Sequence, residues 1–201
     1  MKALRHGRLL AAAICAALVT SGSAQANDYR EKGKTAAVAG STMSVTPARD
    51  WNKLSAKPGK RAETWTLDGE QLNDVTFYGG ILPGELLVRE RSKKHQPLPR
   101  FTSSTLLAEV PELLEGTYRA GRQIGPFSVT SSAPDKFLGR AGIRFSYEYT
   151  DADLLPRMGE ARAAVVEGKL YMVTYDAPRL HFFARSLGDY HALADTIRLV
   201  S

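Results

Sequence analysis

An α+β fold, in which helices pack on an antiparallel sheet, is the architecture that the sequence predicts. Residues 63–81 and 161–175 each alternate between apolar and polar side chains on both sides of a short turn, which is typical of a β-hairpin. Apolar residues recur at helical spacing in residues 111–121 and 178–197. Hairpin strands pair antiparallel and an amphipathic helix must bury one face, so a sheet covered by helices follows.

The first hairpin is indicated by Trp65 between Thr64 and Thr66, followed by an Asp68-Gly69 turn and a second strand that reaches Ile81. The middle helix is expected to begin at Pro111 and to end near Gly121, since proline suits the first turn of a helix and glycine its end. Strands over residues 127–132 and 143–150 precede the second hairpin, whose turn is Glu167-Gly168-Lys169.

The alternation also predicts which side chains are buried, because residues two apart in a strand share a face. We expect the following residues to form one core: Trp65, Phe77, Phe145, Tyr147 and Leu170.

Three stretches resemble the PsbP-like α/β/α fold, named after an extrinsic subunit of photosystem II. They are the segment from Thr46-Pro47 to Trp51, the sequence KFLGRAGIRFSY at 136–147, and GKLYMVTYDAP at 168–178 with the final helix. The resemblance covers roughly residues 43 to 200 and implies a non-catalytic binding or assembly factor. No photosystem contact or metal ligand of that family matches a residue here, so the photosynthetic role is not carried over.

The first 26 residues have the order of a secretory signal peptide. Lys2, Arg5 and Arg8 precede an apolar run over residues 9–19, and Ala24-Gln25-Ala26 offers the small residues that a signal peptidase reads. The run is too short for an ordinary membrane anchor, which needs about 20 apolar residues. We therefore expect cleavage between Ala26 and Asn27 and export, with the periplasm as the expected compartment.

Cys15 is the only cysteine, and it lies inside this apolar run. Lipidation at Cys15 is the alternative to cleavage after Ala26, but Ile14 stands where a lipobox has a small residue. Cleavage at Cys15 would also leave apolar residues on the mature chain. After cleavage at Ala26 the domain has no thiol chemistry.

Cleavage also lowers the positive charge, because the 27 basic residues fall to 24 against 21 acidic ones. A net charge of +3 does not favour a nucleic-acid partner, and we expect at most peripheral contact with a membrane. Residues 27–42 are small and polar and are expected to be flexible, whereas residues 43–201 are expected to form a single domain.

No catalytic signature is present in the sequence. His95, His181 and His191 have no metal-ligand spacing, and the G-x-S-x-G and phosphate-loop motifs are absent. Asp151-Ala152-Asp153 lacks the further ligands of a calcium loop and indicates a turn. We expect no cofactor and no metal site.

The candidate ligand or partner surface is the polar face of the predicted sheet. Arg144 and Glu148 alternate with apolar residues, Arg162 is expected on a neighbouring strand, and Tyr78 is expected on the corresponding face of the first hairpin. Arg144 and Glu148 would flank a small polar ligand. The alternative is a structural ladder of ion pairs between strands.

A second candidate surface is the basic segment of residues 89–95, which includes Arg91, Lys93 and Lys94. It would attract anionic lipid, peptidoglycan or an acidic protein. The alternative is a solvated loop, because Glu90 interrupts the positive charge and no aromatic residue interleaves.

These observations favour an exported binding or accessory protein of the cell envelope without catalytic activity, whose partner is an envelope protein or a small polar ligand. A secreted or periplasmic hydrolase with a site that sequence patterns do not reveal is the alternative. The sequence indicates no oligomeric state.

We predict that the exported protein begins at Asn27. Intact-mass analysis of the protein recovered from the producing cell's envelope or medium should give a chain that lacks residues 1–26. A chain that begins at a lipid-modified Cys15 would contradict both the cleavage site and the expectation of at most peripheral membrane contact.

Overall fold

The computed structural model describes residues 28–90 and 97–200 of the chain. The described residues contain these strands and helices: β1 (Asp28–Arg30), β2 (Ala36–Ala37), β3 (Met43–Val45), β4 (Trp51–Lys53), β5 (Ala62–Thr66), β6 (Asp74–Ile81), α1 (Val110–Arg122), β7 (Phe127–Phe137), β8 (Arg140–Thr150), β9 (Pro156–Val166), β10 (Lys169–Pro178), α2 (Phe182–Ala194) and β11 (Arg198–Leu199). The predicted signal peptide lies outside the described residues.

One eight-stranded sheet organises the molecule, with strand order β1-β4-β5-β6-β10-β9-β8-β7 and antiparallel pairing between all neighbours. Both predicted hairpins are present as β5–β6 and β9–β10. They meet along β6 and β10, which pair from Asp74–Asp176 to Ile81–Leu170. The strands β11, β3 and β2 form a second, three-stranded sheet in that order. The predicted α+β class is confirmed.

The two faces of the large sheet are covered by different elements. Helix α1 packs through Leu114 and Tyr118 on one face, which we call the α1 face. Helix α2 packs through Tyr190 and Leu193 on the other, the α2 face, together with β3 of the small sheet. Each helix therefore has its own hydrophobic core, and the sheet is buried on both sides.

The prediction of one shared core is wrong. Trp65 and Phe77 lie in the α2-face core, where their rings meet edge to face with centroids 5.1 Å apart. Phe145, Tyr147 and Leu170 lie in the α1-face core. Alternation shows which residues of one strand share a face, but only the pairing of strands shows which face that is.

The prediction that residues 27–42 are flexible is also corrected, because their described part, residues 28–42, forms β1 and β2. Val38 is fully buried in the α2-face core. The Ala39 amide donates a hydrogen bond to the buried Glu63 Oε2 at 3.2 Å. Pairing with β4 and β3 supplies the backbone hydrogen bonds that this small-residue segment lacks by itself.

A close approach between β8 and β9 depends on Gly159. Gly159 lies directly opposite Tyr147, and a Cβ atom at Gly159 would overlap the Tyr147 ring. The missing side chain lets the Tyr147 ring lie across β9. The phenol oxygen of Tyr147 can then reach β10, where it contacts Asp176 at 3.1 Å.

We expect Phe145→Ala to lower the free energy of unfolding by ~3–5 kcal/mol, since the ring is fully buried and its removal leaves a cavity. Denaturant titration measures this loss, and Leu180→Ala, at a side chain that is 86% exposed, is the matched control. The control should change stability by less than about 0.5 kcal/mol. Equal losses in the two variants would contradict the assignment of Phe145 to a packed core.

Candidate functional site

Arg144, Glu148 and Arg162 lie together on the α2 face, as predicted, but Tyr78 does not join them. Tyr78 pairs with Ala62 and Met172 and is fully buried on the α1 face. Opposed residues of neighbouring strands share a face, so the strand register excludes Tyr78 from the predicted surface. Burial raises the pKa of its hydroxyl to about 12.

The three α2-face residues are held by ion pairs. Arg144 Nη2 lies 3.0 Å from Glu160 Oε2, and Glu160 Oε1 lies 2.9 Å from His191 Nε2 of α2. Glu148 lies 3.7 Å from Arg179 and is not paired with Arg144. Glu160 is buried, so the Arg144–Glu160 contact ties strands β8 and β9 together.

Arg162 has two carboxylate partners at 2.7 Å each, Asp135 of β7 and Asp195 after α2. Its guanidinium therefore joins the sheet to the end of the helix that covers it. The sequence allowed two interpretations of these residues, a ligand surface or a structural ladder of ion pairs between strands. The observed contacts are those of a ladder. That the α2 face also contacts a ligand or partner stays a prediction.

Arg91, Lys93 and Lys94 of the basic segment lie outside the described residues, as does His95. The prediction for that surface therefore stays a prediction.

A cleft of about 840 Å³ opens on the α1 face, at the end of the sheet where β6 begins and β8 ends. Its walls come from α1, from the loops at 54–58, 70–74 and 151–157, and from residues on both sides of 91–96. Both basic and acidic side chains line it, while Leu54, Val88, Leu98 and Ile124 supply apolar wall.

The floor of the cleft is built on Asp176, which is fully buried in β10. Its carboxylate accepts a hydrogen bond from the Tyr118 hydroxyl of α1 at 2.6 Å and from the Tyr147 hydroxyl of β8 at 3.1 Å. Burial raises the pKa of both tyrosines well above the ordinary value, and Asp176 adds to the effect. Both phenols therefore stay protonated and act as donors.

Arg157 forms one side of the cleft and is only 5% exposed. Its Nε donates to the Tyr149 hydroxyl at 3.1 Å, and its Nη1 donates to the Gln71 carbonyl at 3.0 Å. Asp151 Oδ2 lies 3.7 Å from the same Nη1. These contacts fix the loops that carry Gln71 and Asp151 relative to the sheet.

Asp74 borders the cleft beside Asp176, because the two residues are opposed across β6 and β10. Asp74 is 7% exposed, and its Oδ1 has no hydrogen-bond partner. Burial raises the pKa of Asp74 to about 8, and Asp176 adds to the rise, whereas Arg122 opposes it. At neutral pH the Asp74 carboxyl is therefore largely protonated and can donate a hydrogen bond.

Arg122, in the last turn of α1, also borders the cleft. Its guanidinium lies 4.1 Å from the centre of the Tyr118 ring, and its Nη1 is 3.5 Å from the Tyr149 hydroxyl. Burial lowers the pKa of Arg122, but Tyr118, Asp176 and Tyr149 together outweigh burial and raise it. Arg122 is therefore a charged group held in place by aromatic contacts.

The charged groups described above suit the cleft to binding a polar molecule.

The lining of the cleft offers few nucleophiles. Among its described residues there is no serine, cysteine or histidine, and the hydroxyls of Thr64 and Thr117 are hydrogen-bonded to Thr76 and Leu113. Residues 28–90 and 97–200 contain no group of three or more potential metal ligands. In the same residues, no helix is long and apolar enough to cross a bilayer.

The sequence interpretation missed Asp74, Asp176, Arg122 and Arg157. One signal was available: Asp176 interrupts the apolar run from Leu170 to Ala177, and an acidic residue inside a buried strand often has a function. The two arginines gave no such signal, since charged residues at the end of a helix or the start of a strand are ordinary.

Comparison with known proteins supports the fold. No protein-family model matches the chain, and no curated protein matches it. The solution structure of cyanobacterial PsbP (CyanoP) from Synechocystis sp. PCC 6803 aligns with a TM-score of 0.52 and 8% identity, over 91% of this chain and 99% of that one. LpqN from Mycobacterium tuberculosis, described as involved in cell envelope biogenesis, aligns at a TM-score of 0.36 and 6% identity, over 87% and 86%.

The chain therefore has the PsbP-like fold, and the resemblance seen in the sequence is confirmed. At 8% identity the likeness concerns the fold alone. The function has to be argued from this chain's own residues.

We predict that Asp74 makes the protein less stable as pH rises. Its folded-state pKa of about 8 lies above the ordinary 3.8, so the folded state holds the proton more tightly than the unfolded chain between these values. From pH 5 to pH 9 this group should cost on the order of 4 kcal/mol of unfolding free energy. Asp74→Asn should remove that part of the pH dependence.

Denaturant titrations at pH 5 and pH 9 measure the effect as the difference between wild type and variant. Asp153→Asn is the control, since Asp153 borders the same cleft but is exposed, and it should keep the wild-type slope. An unchanged slope in Asp74→Asn would mean that Asp74 does not hold its proton.

Proposed function

We propose that the protein is an exported binding or accessory factor of the cell envelope, without catalytic activity, and that the cleft on the α1 face is its ligand site. The observation that carries the proposal is the floor of the cleft. There Asp74 Oδ1 has no hydrogen-bond partner and Arg122 donates only one long hydrogen bond to the described residues, while the groups around them are fixed by short contacts. Such preorganisation is typical of a binding site.

Export rests on the order of residues 1–26, with its basic start, apolar run and Ala24-Gln25-Ala26. The periplasm is the compartment we propose. An envelope partner protein could use the predicted α2-face surface around Arg144, Glu148 and Arg162, while the cleft takes a small polar molecule.

A periplasmic hydrolase is the second candidate, and Asp74 is the observation that favours it. A carboxyl whose pKa lies near the working pH is suited to general acid catalysis. The described lining of the cleft offers no serine, cysteine or histidine to act with it. His191, one of the described histidines, is paired with Glu160 on the opposite face of the sheet.

The proposal predicts that filling the cleft abolishes ligand retention. Ala120 of α1 borders the cleft, so Ala120→Trp should block it. Glu112→Trp, at an exposed position of the same helix outside the cleft, is the matched control. The purified protein is incubated with the small-molecule fraction of an envelope extract, and bound mass is read by native mass spectrometry.

Wild type and Glu112→Trp should retain a bound small molecule, and Ala120→Trp should not. Retention by all three proteins, or by none, would contradict the cleft as the ligand site. Turnover of an ester, peptide or glycan substrate that Asp74→Asn abolishes without unfolding would favour the hydrolase.

A further inference from the structure

Arg122 is a partly buried arginine at the edge of the cleft, and its charge has no carboxylate partner among the described residues. A guanidinium has five N–H donors, and the hydrogen bond that Arg122 makes is the long 3.5 Å contact to Tyr149. No carboxylate of the described residues lies within 4 Å of it. One turn earlier on the same helix, Arg119 is paired with Glu115 at 2.7 Å.

Asp176 and Asp74 are the carboxyl groups that interact electrostatically with Arg122, and neither is free to serve as its counter-ion. Asp176 accepts hydrogen bonds from Tyr118 and Tyr147, and Asp74 carries a proton at neutral pH and so adds no negative charge. A partly buried cation without a counter-ion is costly, and an arriving anion would remove this cost. The planar guanidinium is suited to receive a carboxylate or a phosphate through two parallel hydrogen bonds.

The cleft is also larger than a bare ion requires. At about 840 Å³ it lies within the range of small-molecule sites, and Leu54, Val88, Leu98 and Ile124 give it apolar wall. An occupant that uses both features has an anionic group at Arg122 and an organic body against these side chains.

We propose that the cleft binds an organic anion whose carboxylate or phosphate group is held by Arg122, with the carboxyl of Asp74 as a further hydrogen-bond donor. This inference rests on the proposed ligand site and names its chemical class. Tyr118 orients the guanidinium by stacking against it, at 4.1 Å from its ring centre.

The arrangement makes anion binding sensitive to pH. The charged groups that act on Asp74 are Arg122, Asp176, Arg157 and Glu70. When Asp74 loses its proton it changes from a donor to a second negative charge beside Asp176, and it then repels an anion at Arg122. Affinity should therefore fall as pH rises through about 8.

The test uses three probes with the same six-carbon body: hexanoate, hexyl phosphate and neutral hexanamide. Chemical shifts of the arginine side-chain N–H groups are followed during titration of the ¹⁵N-labelled mature protein at pH 6.5. The two anions distinguish a carboxylate ligand from a phosphate ligand, and hexanamide measures the contribution of the body alone. We expect at least one anion to bind at least tenfold more tightly than hexanamide.

Arg122→Gln should lower the affinity for that anion at least tenfold. The affinity for hexanamide should stay within about twofold of the wild-type value, because only the charge contact is lost. Arg140→Gln removes the same charge at an exposed position outside the cleft, and it should bind as wild type does. Equal loss in the two variants would indicate nonspecific attraction by net charge and overturn the inference.

Asp74 is tested by comparing anion affinity at pH 6.5 and pH 9. The affinity of the wild-type protein for the anion should be at least fivefold lower at pH 9 than at pH 6.5. In Asp74→Asn the two affinities should be nearly equal. A flat wild-type profile would overturn the role of Asp74.

Failure of this inference is distinguishable from failure of the proposed function. If Ala120→Trp abolishes retention of a molecule from the extract but that molecule is uncharged, the cleft is a ligand site and the anion assignment is wrong. If the anions bind no better than hexanamide, the assignment to Arg122 is also wrong. If Ala120→Trp does not affect retention and the anions also bind no better than hexanamide, the cleft is not the ligand site.

Discussion

The buried carboxylate of Asp176 is the contact on which the α1 side of the molecule depends. It receives hydrogen bonds from Tyr118 of the helix and from Tyr147 of the sheet, so one group joins α1, β8 and β10. A buried carboxylate is tolerated only when its oxygens are hydrogen-bonded, and removing a partner typically costs several kcal/mol. The position of α1, and with it one wall of the cleft, is therefore tied to this carboxylate.

The same carboxylate affects the properties of the cleft. Burial is the main cause of the raised pKa of Asp74, and Asp176, which is opposed to Asp74 on the neighbouring strand, adds to it, so that Asp74 keeps its proton at neutral pH. Tyr118, while bonded to Asp176, stacks against Arg122. A single buried group thus contributes to the protonation of one side chain and to the orientation of another.

Much of the sheet could be predicted from the sequence because alternation is a local property. Both hairpins and the apolar side chains of β8 were predicted from residues close together in the chain. The face to which each strand contributes could not be predicted, because β6 pairs with β10, which is distant in sequence. Tyr78 was expected on the polar face for this reason, whereas the register places it on the α1 face, where Thr64 and Thr76 of the same hairpin bond each other at 2.9 Å.

The sequence indicated that the α2 face could carry a ladder of ion pairs, but it did not indicate which residues pair. The sequence indicated Arg144, Glu148 and Arg162 as members of such a ladder but not Glu160 of β9, which is the partner of Arg144. Glu160 lies one residue before Ala161, the expected start of the second hairpin, so the alternation did not indicate it. The cleft could not be predicted for a related reason: its walls come from segments that only the complete fold brings together.

The contact between Tyr147 and Asp176 depends on Gly159. Gly159 touches no part of the cleft, yet the Tyr147 ring occupies the space that any side chain at 159 would need. A larger residue there would push the Tyr147 hydroxyl away from Asp176, and the cleft would change although its lining residues stay the same. A substitution at Gly159 would therefore act on the cleft at a distance, through the contact between Tyr147 and Asp176.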